Sequence, residues 1–216
     1  MSVITGIIPS PRKAGRFDVL VDGRHEATVS LDTVERLALA VGRPYDSLRA
    51  AVAREAAVLS TYDRALNMLA LRARSSRELR RQLVRKGEPA DQVDVALARL
   101  LAAGFLDDAA FARQFARSKA IGAGMSRRRI QQELGRRGVA REVGEGAIDD
   151  VFADEDLDEA AVVELAARKK LRSLKNVAAE TRNRRLFAFL ARRGYDLDDI
   201  RRAIQAVAGA EADVTE

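Results

Sequence analysis

The chain has 216 residues, 47% hydrophobic and 5% aromatic, with no Cys, no Trp, a single His and a formal net charge of +6. That composition excludes disulfides, Cys nucleophiles and the usual structural zinc sites, and its Ala, Leu, Arg and Glu content favours helix. No apolar run approaches the 18 or so residues of a membrane span, and MSVITGIIPS lacks the plan of a secretion signal, so a cytoplasmic protein with no membrane association is expected.

The elements follow in chain order. A strand around residues 3–8 precedes Phe17, Val19 and Val21, which alternate with polar residues up to Asp22-Gly23, the pair suited to a type I′ hairpin turn. His25, Ala27 and Val29 continue on the return strand, where His25 is read as structural and without a partner. A first helix then starts near Ser30 or Asp32 and stops at Gly42. A second follows Pro44 and runs from about Asp46 to Leu59, with Leu48, Val52 and Ala56 at helical spacing.

From residue 61 the dominant feature is repetition. SSRELRRQLVRKG (75–87), SRRRIQQELGRRG (126–138) and RNRRLFAFLARRG (182–194) each carry two apolar residues four apart, two basic residues and a glycine. The apolar triplets are Leu79/Ile130/Leu186 and Leu83/Leu134/Leu190; after Gly87/Gly138/Gly194 the phase persists through Ala96/Ala147/Ala203, Leu97/Ile148/Ile204 and Leu100/Val151/Val207. Repeat lengths of 51 and 56 residues suit three helices each.

In copy one, Tyr62, Ala65, Leu66 and Leu69 form a first helix. Ser75 and Glu78 offer a capping box for the second, Gly87 ends it, and Pro89 opens the third, which carries Val93, Ala96, Leu97 and Leu100 to Gly104. Copy two repeats this with Phe111, Phe115, a Ser126 cap and a helix from Val143 to Phe152. Copy three begins with a longer helix, Leu157 to Leu171. The fold class expected is therefore mainly α, a tandem array of three three-helix repeats with a small N-terminal β-hairpin and helix region. The boundaries fall at 1–60, 61–107, 108–153 and 154–209, with a frayed tail at 210–216. With helices of about 18 Å, such an array reaches on the order of 60–80 Å.

Charge is concentrated in the middle: residues 61–152 hold 18 Lys/Arg against 12 Asp/Glu, and the flanks are nearly neutral. On the second helix of copy one, Arg77, Arg81 and Arg85 share a stripe flanked by Arg80 and Lys86, opposite Leu79 and Leu83. Copy two places Arg127, Arg128, Arg129, Arg136 and Arg137 on its second helix. These residues either solvate a helix face or meet phosphates and acidic side chains, and their repeated placement favours the second role. Arg168, Lys169, Lys170 and Lys175 form another cluster, which compensation of a helix dipole also explains. Gly122-Ala123-Gly124, before the Ser126 cap, is read as a plain connection or an anion cradle. Asp107-Asp108 and Asp149-Asp150 read as caps rather than metal ligands. No nucleotide-binding or metalloprotease motif is present, and neither a catalytic residue nor a cofactor is expected.

The S-x-x-E-L-x-x-x-L-x-x-K-G pattern, followed by Gly104-Phe105-Leu106-Asp107-Asp108 and Phe111-Ala112, resembles the RecX family of recombinase regulators. Residues 61–153 carry the most specific part. Copy three is a weaker match, the N-terminal region is similar to an extension seen on many members, and copy two has Arg129-Ile130 where copy one has Glu78-Leu79. The resemblance implies a modulator, mainly an inhibitor, of the RecA recombinase that lies in the groove of the RecA filament on single-stranded DNA. It also implies some direct affinity for that DNA, and action as a monomer fits the same picture. The residue pattern alone leaves open an independent helix-turn-helix DNA reader.

Overall fold

The computed structural model describes residues 1–174 and 176–212, the side chains of 208–212 excepted. Three strands, β1 (Ile4–Pro9), β2 (Arg16–Val21) and β3 (Arg24–Ser30), form an antiparallel sheet in sequence order. Ten α-helices follow among the described residues: α1 (Leu31–Arg36), α2 (Arg49–Leu71), α3 (Ser76–Arg85), α4 (Ala90–Ala102), α5 (Asp108–Arg117), α6 (Arg127–Arg137), α7 (Arg141–Asp154), α8 (Glu159–Arg172), α9 (Ala179–Arg192) and α10 (Leu197–Ala212). Backbone contacts divide the chain into two units. The first comprises Met1–Ala73 and Leu79–Leu106; the second comprises Arg74–Glu78 and Asp107–Glu216.

In the first unit, Asp22 and Gly23 both adopt positive φ (+49° and +77°), the turn that the Asp-Gly pair anticipates. Alternation along the strands turns Val19, Val21, Ala27 and Val29 inward, onto Tyr45 and Val52. Ser30 caps α1 by accepting from the Thr33 amide at 3.2 Å. Contrary to the sequence expectation, α1 stops at Arg36 and not at Gly42. Ala38 takes the left-handed conformation (φ +47°), its amide donates to Glu35 and that of Leu39 to Val34, closing the helix with a Schellman motif that lacks glycine.

The expected break between helices at residues 59–62 is also absent. From Arg49 to Leu71 there is neither Gly nor Pro, and α2 runs through without interruption. Thr61 does not disturb it, because its hydroxyl is buried and donates to the Glu88 carboxylate at 2.6 Å. Glu55 on α2 accepts from Arg36 of α1 and Arg99 of α4, both at 2.8 Å, so three helices meet on one carboxylate. Burial pushes the Glu55 carboxyl up, but the Arg99 and Arg36 guanidiniums outweigh it and hold the group below its usual range. His25, expected to be alone, has its Nε2 3.1 Å from the Thr28 hydroxyl and 3.5 Å from Asp18.

Each repeat has its own core, and the triplets read from sequence form it. Leu79, Ile130 and Leu186 are 0%, 0% and 2% exposed, and Leu83, Leu134 and Leu190 are fully buried. Burying one such side chain contributes about 1.5–3 kcal/mol, so the repeat is chiefly a repeat of packing. The second helices end at Gly87, Gly138 and Gly194, all with φ near +90°. Beyond α5 the chain makes a π-helical turn, Ser118–Gly122, for which no local pattern calls.

The second unit contains a joint used twice. Its first instance lies where Arg74–Glu78 packs against residues beyond 107: the Ser75 hydroxyl donates to the Arg137 carbonyl, and the Ser76 amide donates to Asp108 at 2.7 Å. In the second, the Ser126 amide donates to the Arg193 carbonyl at 3.0 Å, and the Arg127 amide donates to Glu159 at 3.1 Å. In both, two donors at the start of a second helix, a serine hydroxyl and an amide in the first joint and two amides in the second, are met by a last carbonyl of the next second helix and by the first carboxylate of the next first helix. Gly138 and Gly194 lie in these joints. A Cβ at either would fall 2.5 Å from the Cβ of Arg77 or Arg129. Among the described residues no such joint is seen at α9, whose N-cap residue Ala178 makes no side-chain cap bond.

Candidate binding interface

On α3, Leu79 and Leu83 face the core and so turn Arg77, Arg81 and Arg85 outward, one helical turn apart along about 12 Å of helix. All three are exposed, as is Lys86. Among the described residues, Arg77, Arg85 and Lys86 face no carboxylate within ion-pair distance. Arg80 points elsewhere: its Nε and one terminal nitrogen hold both oxygens of Asp94, at 2.6 and 3.0 Å. That hydrogen-bonded pair raises the guanidinium and lowers the carboxyl from their ordinary values.

The equivalent helix of copy two, α6, uses most of its cations internally. Arg127 bonds to Asp149 and lies 4.0 Å from the centre of the Phe152 ring. Arg129 bonds to Glu133 at 2.8 Å. Arg137 stands 4.7 Å over the Phe115 ring and 3.5 Å from Glu78. Arg128 donates to the Gly194 carbonyl at 2.9 Å, so it belongs to the second joint although its side chain is exposed. Arg136 is exposed, with Glu133 at 3.8 Å. Spacing that places several arginines on one helix does not reveal which of them meet a Phe or Glu from another part of the chain.

The second basic residue of each triplet shows the divergence most plainly. Lys86 is solvated, whereas Arg137 and Arg193 cover Phe115 and Phe189. The signal that separates them is the aromatic partner, which copy one lacks at those positions. In copy three, Arg168 bonds to Glu164 at 3.0 Å, Lys169 is exposed, and the Lys170 ammonium lies 5.6 Å from the Phe189 centre. Lys175 lies outside the described residues.

Asp107-Asp108 behaves as expected of caps, Asp107 accepting from the Ala109 and Ala110 amides and Asp108 from that of Ser76; Asp149-Asp150 does not, because it lies inside α7, where Asp149 pairs with Arg127. Gly124 is a packed connection, its carbonyl accepting from the Tyr195 hydroxyl at 3.2 Å, with Ala166 against the position of its missing side chain.

A sheet-and-helix N-terminal region followed by three three-helix repeats, with cations borne on the second helices, defines a basic tandem-repeat protein. No described helix is long and apolar enough to cross a membrane. Residues 62–100, 107–148 and 158–204 match the first, second and third three-helix domains of RecX, in that order, and the chain belongs to the RecX family of regulatory proteins. Among curated relatives, the regulatory protein RecX of Amycolatopsis mediterranei is 42% identical over 129 residues, 60% of this chain and 72% of that protein. The one from Pelodictyon phaeoclathratiforme is 34% identical over 149 residues, 69% of this chain and 89% of that protein. A crystal structure of a regulatory protein RecX aligns over 95% of this chain with a TM-score of 0.72 at 22% identity, covering 100% of that chain. RecX from Lactobacillus salivarius covers 70% of this chain and 97% of its own, with a TM-score of 0.55 at 18% identity. At those identities the likeness is one of fold.

Proposed function

We propose that this chain regulates the RecA recombinase, mainly as an inhibitor, by laying its basic helices along the groove of the RecA filament on single-stranded DNA. It acts as a cytoplasmic monomer without catalysis, through modules at 61–107, 108–153 and 154–209, and meets the DNA directly or through the filament. The observation that carries this reading is the outward stripe of Arg77, Arg81 and Arg85 on α3, continued by Lys86. These cations are held on a rigid helix whose opposite face is fully buried. On α6 of the second unit, Arg128 and Arg136 are further exposed cations. Arg80, Arg127 and Arg137 support the surface by holding helices in place, each occupied with a carboxylate or an aromatic ring of another helix, and Arg129 is occupied with Glu133 within α6. Several weak contacts on successive protomers sum by avidity, so a filament is bound more tightly than a single protomer.

The test replaces Arg77, Arg81 and Arg85 together with Glu and measures inhibition of RecA-driven strand exchange. The variant, shown by circular dichroism to be folded, is expected to need more than about tenfold higher concentration, because charge reversal converts attraction into repulsion at three positions. Unchanged inhibition overturns the assignment of this face. Equal affinity for naked DNA and for the filament, with a steep fall in salt, identifies an independent DNA-binding protein instead.

A further inference from the structure

A cavity of about 420 Å³ in the second unit is bounded by the π-helical turn, α8 and α9. Its wall is apolar, with Ile121 and Leu165 exposed by 48% and 61% beside Ala166 and Phe189. Its rim carries Lys169, Lys170, Arg172 and Arg193 and no Asp or Glu. Among the described residues, none of these four cations has a carboxylate partner. The last turn of α8 accounts for some of them, because cations are favoured near helix C-termini.

Arg193 is different. It comes from α9's C-cap, it is half-buried, and its Nε is enclosed without a hydrogen-bond partner. Its contact is with the face of Phe189, 4.2 Å away, and burial lowers its affinity for its proton, partly offset by Tyr195. A guanidinium that has lost water without gaining an anion is destabilising unless something else supplies the charge.

We propose that this cavity is a docking site for an acidic peptide segment of a partner protein, whose bulky apolar side chains fill the Ile121–Leu165 wall while flanking carboxylates take Arg193, Lys169 and Lys170. A guanidinium fork and a carboxylate match in geometry, and a cavity of this size lies in the range that accepts a few side chains. A phosphodiester backbone would leave the apolar wall empty, and a stacked base needs an open ring. Phe189 is the aromatic residue lining the cavity, and it already carries Arg193 at 4.2 Å and Lys170 at 5.6 Å. This site shares no residue with the α3 stripe, and its occupancy is independent of the filament reading.

The experiment measures fluorescence anisotropy of a labelled peptide of about twelve residues, Asp and Glu flanking a central Leu-Phe pair, titrated with the full chain. Saturable binding is expected. Leu165→Glu, Lys169→Glu and Arg193→Gln should each weaken it by about tenfold or more, the loss expected when a charge-assisted bond or a buried apolar contact is removed. Arg54→Glu, an exposed site on α2, should leave it unchanged. Peptides with Gln for the acids, or Ala for Leu-Phe, should fail to bind. Leu165 and Lys169 are surface positions, so those variants test the proposal even if Arg193→Gln does not fold. Absence of saturable binding, equal weakening by Arg54→Glu, or binding untouched by Leu165→Glu overturns it. So does displacement by oligo-dT that depends on Lys169 and not on Leu165, which makes the site one for nucleic acid. Because no filament is present, any of these outcomes leaves the RecA reading standing.

Discussion

Gly138→Ala tests the joint between second helices. Two costs arise. At φ +87° a side-chain-bearing residue is disfavoured by about 1–2 kcal/mol, of which about 0.4–1 kcal/mol returns through a stiffer unfolded chain. The new methyl would also stand 2.5 Å from the Cβ of Arg77 and 2.7 Å from its Cδ. The Cδ can swing away, but the Cβ moves only with the first turn of α3, which Ser75 ties to the Arg137 carbonyl. Crowding of that kind costs about 1–3 kcal/mol, so the expected destabilisation is about 2–4 kcal/mol. Gly87→Ala is the matched control. Its φ is +94° with nothing within 4 Å, so it should cost about 1 kcal/mol or less. Urea titration followed by circular dichroism gives the totals, and hydrogen exchange at amides 135–139 and 84–88 places each loss along the chain. Equal costs for the two substitutions would show that the contact with Arg77 does not constrain the second unit.

Two further predictions concern the first unit. Ala38→Gly relieves the left-handed strain that closes α1, a gain of about 1–2 kcal/mol against an entropic cost of about 0.5–1 kcal/mol; a raised melting temperature is expected, and a lowered one refutes the Schellman assignment. Glu55→Gln should destabilise by about 1–3 kcal/mol at neutral pH. Because the folded carboxyl titrates below the unfolded value of about 4.3, its contribution is complete above that pH and drains away as pH falls through the folded value. The gap between wild type and variant should therefore narrow in melts taken below about pH 4, and a constant gap would count against the shift.

The repeated core was legible because periodic burial writes itself into sequence: Leu79, Ile130 and Leu186 must all be apolar to serve the same inward position. The strand alternation and the Asp22-Gly23 turn were legible for the same local reason. What escaped was either an exception to local chemistry or a contact between distant residues. Ala38 closes a helix where glycine is the expected residue, and Thr61 sits quietly inside α2 because Glu88, 27 residues away, receives its hydroxyl. The candidate interface suffered most from such distance effects. Lys86 and Arg137 hold the same place in the repeat, yet Lys86 is exposed while Arg137 covers Phe115 and meets Glu78, 59 residues away. The cavity beside Phe189 was legible only in fragments: Lys169, Lys170 and Gly122-Ala123-Gly124 stand out separately in the sequence, but nothing local says that they meet Leu165, Phe189 and Arg193.

The pair of joints gives the modules a polarity. Within the second unit the middle repeat carries both complementary ends, the Ser126 and Arg127 amides at the start of α6 and the Arg137 carbonyl beside Gly138 at its end, whereas α9 follows an Ala178 N-cap with no hydroxyl to offer. An internal duplication of the middle module would thus find compatible neighbours on either side. Duplicating the last would present a second-helix start without the serine that both joints use, so the joint survives repetition of the middle module and not of the last.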